Sequence, residues 1–167
     1  MTLGRALTQR DCENRPACVA LSKFEGVLNE QKPVSPEQTA VSEREVAKLQ
    51  GSWRQVRKEA DGIENPDDGF DVGGVTTFSG HSFTVRNLDG SVALNGTFSI
   101  DASVSPKAID WVDSIGPDAG KVLPASYTLE GDTFVFIAGG EGAQRPTAFA
   151  TTIGQAMRTF VRVRPNG

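Results

Sequence analysis

Leu49-Gln50-Gly51-Ser52-Trp53 ends a helical pattern and opens a strand-like one, and with the arginine-rich stretch Met157 to Arg164 it points to a small closed β-barrel. A glycine lets the backbone pass close under a neighbouring strand, and a tryptophan two residues on projects to the same side of the pleat, where its ring can plug one end. Burying that indole removes roughly 200 Å² from water, on the order of 5 kcal/mol at ~25 cal/mol per Å², so one residue suffices to anchor a floor. Arg162 or Arg164 of the terminal stretch is the expected partner, its guanidinium laid on the ring and its donors given to nearby carbonyls. The plainer account of Gly51, Trp53 and these arginines is an ordinary core tryptophan and a solvated basic strand.

Upstream of this stretch, Ser35-Pro36-Glu37-Gln38 reads as an N-cap, a proline in the first turn and a capping-box glutamine, and Ser42 to Glu45 repeats the S-x-x-E signal. A helix is predicted from Pro36 or Glu43 to Leu49, with Val41, Val46 and Leu49 as the stripe that meets the barrel. Residues 1–34 mix charge, Asn, Gln and Pro and are expected to be a flexible or partly docked polar leader ahead of a domain over 35–167.

Downstream, glycine punctuates short strand-like runs: Ser52–Glu59, Val75–Phe78, Ser82–Arg86, Val92–Ile100, Ala108–Val112, Val122–Leu129, Thr133–Ala138, Thr147–Thr152 and Met157–Val163. Gly80-His81, Asp89-Gly90 and Gly131-Asp132 are turn signals, and Asp61 to Gly74 is a long acidic loop. Phe134 to Ile137 is apolar on both faces, so that strand should be covered outside as well, by the leader or the helix. The expectation is an all-β fold, an eight- to nine-stranded antiparallel meander closed into a barrel and capped by one helix, with a two-sheet sandwich as alternative.

The residues Leu49-Gln50-Gly51-Ser52-Trp53, Gly96-Thr97-Phe98-Ser99-Ile100-Asp101, Pro106-Lys107-Ala108-Ile109-Asp110, Tyr127-Thr128-Leu129-Glu130-Gly131-Asp132 and Arg145-Pro146-Thr147-Ala148-Phe149 come in an order that resembles a family of bacterial lipocalin-like domains of unknown function. The resemblance covers Leu49 to about Arg164. It implies a lipocalin-like architecture and carries no catalytic residues with it.

A net charge of -4 gives no electrostatic grip on nucleic acid or an anionic surface, and no run is long and apolar enough to insert in a membrane. Arg5, Arg10, Asp11, Glu13 and Arg15 leave no apolar export segment among the first residues, so the expected location is cytoplasmic. Cys12 and Cys18 stand without a histidine cluster or second cysteine pair, so two free thiols and no metal site are expected. Gly139-Gly140-Glu141-Gly142 lacks the lysine and the helix of a phosphate cradle, and no cofactor is expected. His81, the one histidine, sits in a turn where exposure is the simpler account.

The candidate ligand-binding residues are Asp110, Tyr127, Arg145, Trp111, Phe98 and Phe136. Asp110 lies in an apolar strand and needs a partner if it faces inward, and Arg145 and Tyr127 are partners by type; the plainer account is a structural ion pair or an outward-facing Asp. The aromatic residues can either fill the barrel or line it. Three functions follow: a module that binds a small, mostly apolar molecule through an end bordered by the Asp61–Gly74 and Gly116–Gly120 loops; a cofactor-independent cyclase or isomerase of a flexible substrate with the leader as lid; and a protein-interaction domain with a filled barrel, its partner unspecified.

Overall fold

In the computed structural model, which describes residues 33–165, helix α1 (Pro36–Leu49) begins after an N-cap at Ser35. Gln38 N donates to Ser35 Oγ at 3.3 Å and Ser35 N donates to Gln38 Oε1 at 3.0 Å, so the capping box read from the sequence forms. The later start at Glu43 is not used, because Ser42 lies inside the helix and its Oγ accepts from Ala102 N at 3.1 Å. The packed face is Ser42, Glu45, Val46 and Leu49, whose spacing keeps them on one side of the helix. Val41 lies off that face and is 40% exposed, which corrects the expected stripe.

Strands β1 (Gly51–Ala60), β2 (Ile63–Glu64), β3 (Val75–Ser79), β4 (Ser82–Arg86), β5 (Val92–Asp101), β6 (Lys107–Asp113), β7 (Val122–Glu130), β8 (Thr133–Gly139) and β9 (Gln155–Arg162) follow. All except β2 pair antiparallel with the next in chain order, and β9 returns to β1, giving a closed eight-stranded lipocalin-like barrel. The two residues of β2 pair antiparallel with Glu59 and Ala60 at the end of β1. The seam runs from Trp53 opposite Arg162 to Ala60 opposite Ala156, with a bulge between Gln55 and Arg57. That extra residue shifts the alternation along β1, so Gln55 and Lys58 both face inward and are buried.

No strand forms at Thr147–Thr152. Closure of the barrel leaves no free edge for it, and Pro146 has no N–H to give a ladder. The chain between β8 and β9 instead lies across the outside: Ser126 Oγ donates to Pro146 O at 2.5 Å, and Thr151 Oγ1 donates to Glu59 Oε1 at 2.6 Å. Among the described residues this connection, and not α1, is what covers β8. Ile137 and its ladder partner Ser126 are fully buried beneath it, and a Cβ on Gly139 would stand 3.1 Å from Ala143 Cβ. The leader and Cys12 and Cys18 lie outside the described residues, apart from Pro33 and Val34.

Gly96 sits opposite Phe83 and Asp113, and a side chain there would drive its Cβ far inside contact distance of Val112 O. Gly96→Ala is therefore expected to lower stability by ~2 kcal/mol, because the obstacle is backbone that cannot rotate away. The midpoint of urea unfolding measures it; an unchanged midpoint would mean that β5 and β6 separate more easily than this packing implies.

Candidate functional site

The two ends of the barrel differ in chemistry. At the closed end, Trp53 is fully buried and its Nε1 donates to Leu49 O at 2.7 Å. The Arg162 guanidinium lies 4.2 Å above that ring, donates through Nη1 to Gln50 O at 2.9 Å and through Nη2 to Lys48 O, and pairs with Asp132. Of the two arginines weighed for this place, Arg162 occupies it; Arg164 pairs with Asp132 on the outside. Gly51, whose φ of 103° favours glycine, brings the chain past Arg162, with Nη1 3.8 Å from where a Cβ would stand.

Glu45, 4% exposed, ties α1 to the same end. The Tyr127 hydroxyl donates to its Oε2 at 3.1 Å, Lys107 Nζ to the same oxygen at 3.0 Å, and Lys48 Nζ to Oε1 at 2.9 Å. Burial and the Glu45 charge push the Tyr127 phenol well above its ordinary range, so it stays a donor.

Toward the other end lies a cavity of about 520 Å³. A row of small residues runs across β7, β8, β9 and β1, where Ala125, Ala138, Ala156 and Ala60 are successive ladder partners, and its middle pair reaches the cavity. Where the opposite strands supply Phe78, Phe83, Leu94 and Trp111, these strands leave space, and Ala138 and Ala156 line the void. Asp68, Gly69 and Phe70 of the Asp61–Gly74 loop and Pro117 and Asp118 of the Gly116–Gly120 loop border it. These are the loops expected at the open end.

The walls are mainly aromatic and aliphatic, with a few polar groups. Asp68 is held by Lys58 Nζ at 3.1 Å and by Arg158, whose guanidinium also lies 5.5 Å from the centre of the Phe70 ring. Burial acts to raise the Asp68 carboxyl, but the Arg158 charge and the hydrogen bonds from Lys58 and Phe70 N outweigh it and hold the group below its ordinary value. Asp113, 7% exposed, is the opposite case: burial and then the charge of Asp118 push it up, and no described side chain hydrogen bonds to it. Two further wall atoms, Asn87 Oδ1 and Trp111 Nε1, are shielded and unpartnered among the described residues.

Of the six candidate ligand-binding residues, Trp111 and Phe136 line the cavity. Phe98 is buried against Trp111, ring centres 5.9 Å apart, and against Phe78, outside the lining. Tyr127 belongs to the closed end. Asp110 and Arg145 are corrections: they pair at 2.8 Å on the outer surface, where Arg145 Nη1 also donates to Ala125 O at 2.6 Å. Ile109 and Trp111 face inward, so strand alternation turns Asp110 outward. The expected Asp110, Tyr127 and Arg145 trio is thus never assembled.

The same alternation carries Asp113 inward, two residues beyond Trp111, and that signal was available in the sequence. Gln55, Lys58 and Arg158 also lie outside the sequence-predicted site; Gln55 follows Trp53 inward by plain alternation, whereas the inward turn of Lys58 depends on a bulge that no residue type announces. His81 is exposed in its turn, with Nε2 3.5 Å from Glu43 Oε1 and outside the cavity lining. Among the described residues, no cluster of His, Cys, Asp and Glu could hold a metal ion, and no helix is long and apolar enough to cross a membrane. The chain matches no family model, no curated protein and no solved structure.

Proposed function

We propose that this chain is a binding module of the bacterial lipocalin-like kind, whose barrel takes one small, mostly apolar molecule through the mouth between the Asp61–Gly74 and Gly116–Gly120 loops. The observation that carries this reading is the void of about 520 Å³, walled by Phe78, Phe83, Leu94, Trp111, Phe136 and Phe160 and bordered by loops at one end. Its size lies within the range of roughly 300–1,000 Å³ typical of small-molecule sites. A barrel used only as an interaction scaffold gains nothing from an interior left unfilled, since unfilled apolar volume weakens packing.

The test is titration with N-phenyl-1-naphthylamine, a neutral apolar dye that brightens when it leaves water. Saturable binding is expected, and Ala138→Phe, which places a ring on the wall of the void, should weaken it roughly tenfold or more while circular dichroism stays unchanged. No saturable binding to the parent protein, or equal binding to the filled variant, would overturn the reading. A bound compound returned chemically altered would move the assignment to the cyclase or isomerase class.

A further inference from the structure

We propose that the cavity is selective for apolar molecules that carry a protonated amine, with the carboxylate of Asp113 as the anchor of the ammonium group. The inference rests on the binding reading above and narrows it to a class of ligand.

Asp113 stands at the end of β6 on the inner face, 7% exposed, and lines the cavity. A buried carboxylate is expensive unless a cation or several donors meet it. One cation, Arg158, lines the cavity, and it is engaged by Asp68, which Lys58 also holds. No described cation pairs with Asp113, and Asp118, itself paired with Lys121 at 3.2 Å, adds charge of the same sign. Asn87 Oδ1 is another wall oxygen with no described donor. The wall thus presents the Asp113 carboxylate and Asn87 Oδ1 as acceptors without described side-chain donors, and Trp111 Nε1 as one unpartnered donor, within walls made largely of ring faces.

An ammonium group on an apolar body supplies what is missing. It brings up to three N–H donors and a positive charge to Asp113, and the faces of Trp111, Phe83 and Phe136 attract a cation as well as covering the hydrocarbon. An organic anion of the same shape would be repelled by Asp113 at this position, and Arg158, the cation in the lining, is already paired with Asp68. A neutral alcohol would donate one hydrogen bond without the charge. Burial and Asp118 push the Asp113 carboxyl above its ordinary range, which a bound cation would reverse.

Displacement of N-phenyl-1-naphthylamine by three compounds of one length decides it: 4-phenylbutylamine, 4-phenylbutanol and 4-phenylbutanoate, at pH 7. The amine is expected to displace the dye at roughly one tenth of the alcohol's concentration, with the acid weakest. In Asp113→Asn the amine should fall to the level of the alcohol. Equal potency of the three compounds, or an acid stronger than the amine, overturns the amine assignment and leaves the binding reading intact. An amine preference that survives unchanged in a folded Asp113→Asn protein overturns it too. Failure of the dye itself to bind would instead count against the cavity reading. The ranking in the parent protein stands as a test even if the variant does not fold.

Discussion

Trp53→Ala should cost ~4 kcal/mol and lower the melting temperature by on the order of 12 °C, the largest effect of any single truncation in this barrel. The indole is fully buried and packs on Phe134 with ring centres 6.0 Å apart. Its removal leaves a hole at the closed end and takes away the surface on which Arg162 lies. It also orphans Leu49 O, the carbonyl that accepts from Nε1 where α1 hands over to β1. Trp53→Phe should recover part of the loss, because it restores a ring face but not the N–H. Differential scanning calorimetry of the two variants measures both quantities. Equal melting temperatures for Trp53→Ala and the parent would mean the closed end contributes little to stability.

Glu45→Ala is next in size, at ~2–3 kcal/mol, because it strands the fully buried Tyr127 hydroxyl without its acceptor. Lys48 and Lys107 are more exposed and can turn to water, which keeps the cost below that of a fully buried ion pair. The sign of the pH dependence follows from the carboxyl. Burial acts to raise it, but hydrogen bonds from Lys48, Lys107 and Tyr127 and the charge of Lys107 prevail and hold it below the ordinary value of 4.5. Glu45 therefore stabilises the fold fully above that value, and its contribution is lost as pH falls through the lower, folded-state value. Urea midpoints of the parent should drop faster on acidification below 4.5 than those of Glu45→Gln. Parallel pH profiles would show that α1 is held by Val46 and Leu49 alone.

Much of this architecture was legible because local signals agreed with the global one. Ser82–Arg86 was read to the residue because turn pairs flank it on both sides, at Gly80-His81 and Asp89-Gly90. The G-x-W stretch and the terminal arginines located the seam because a glycine, an indole and a guanidinium are each physically unusual there. The candidate site fared less well, and for identifiable reasons. Asp110 drew attention as a charge among apolar neighbours, yet the inward-facing Trp111 beside it already implied that the next inward carboxylate is Asp113. Part of the cavity wall comes from Ala138 and Ala156 falling opposite one another. Each is unremarkable in its own strand, and only the register between β8 and β9 sets them side by side.

The pairing of Gly51–Ala60 with Gln155–Arg162 has a consequence for how the molecule is made. During translation, the first strand emerges about a hundred residues before the strand that completes it, at roughly 5–20 residues per second, so for several seconds or more the growing meander carries an unsatisfied edge at each side. Until the final strand clears the ribosome, nascent chains on neighbouring ribosomes of one messenger offer each other the same edges, so fidelity of folding depends on what shields the newborn strands.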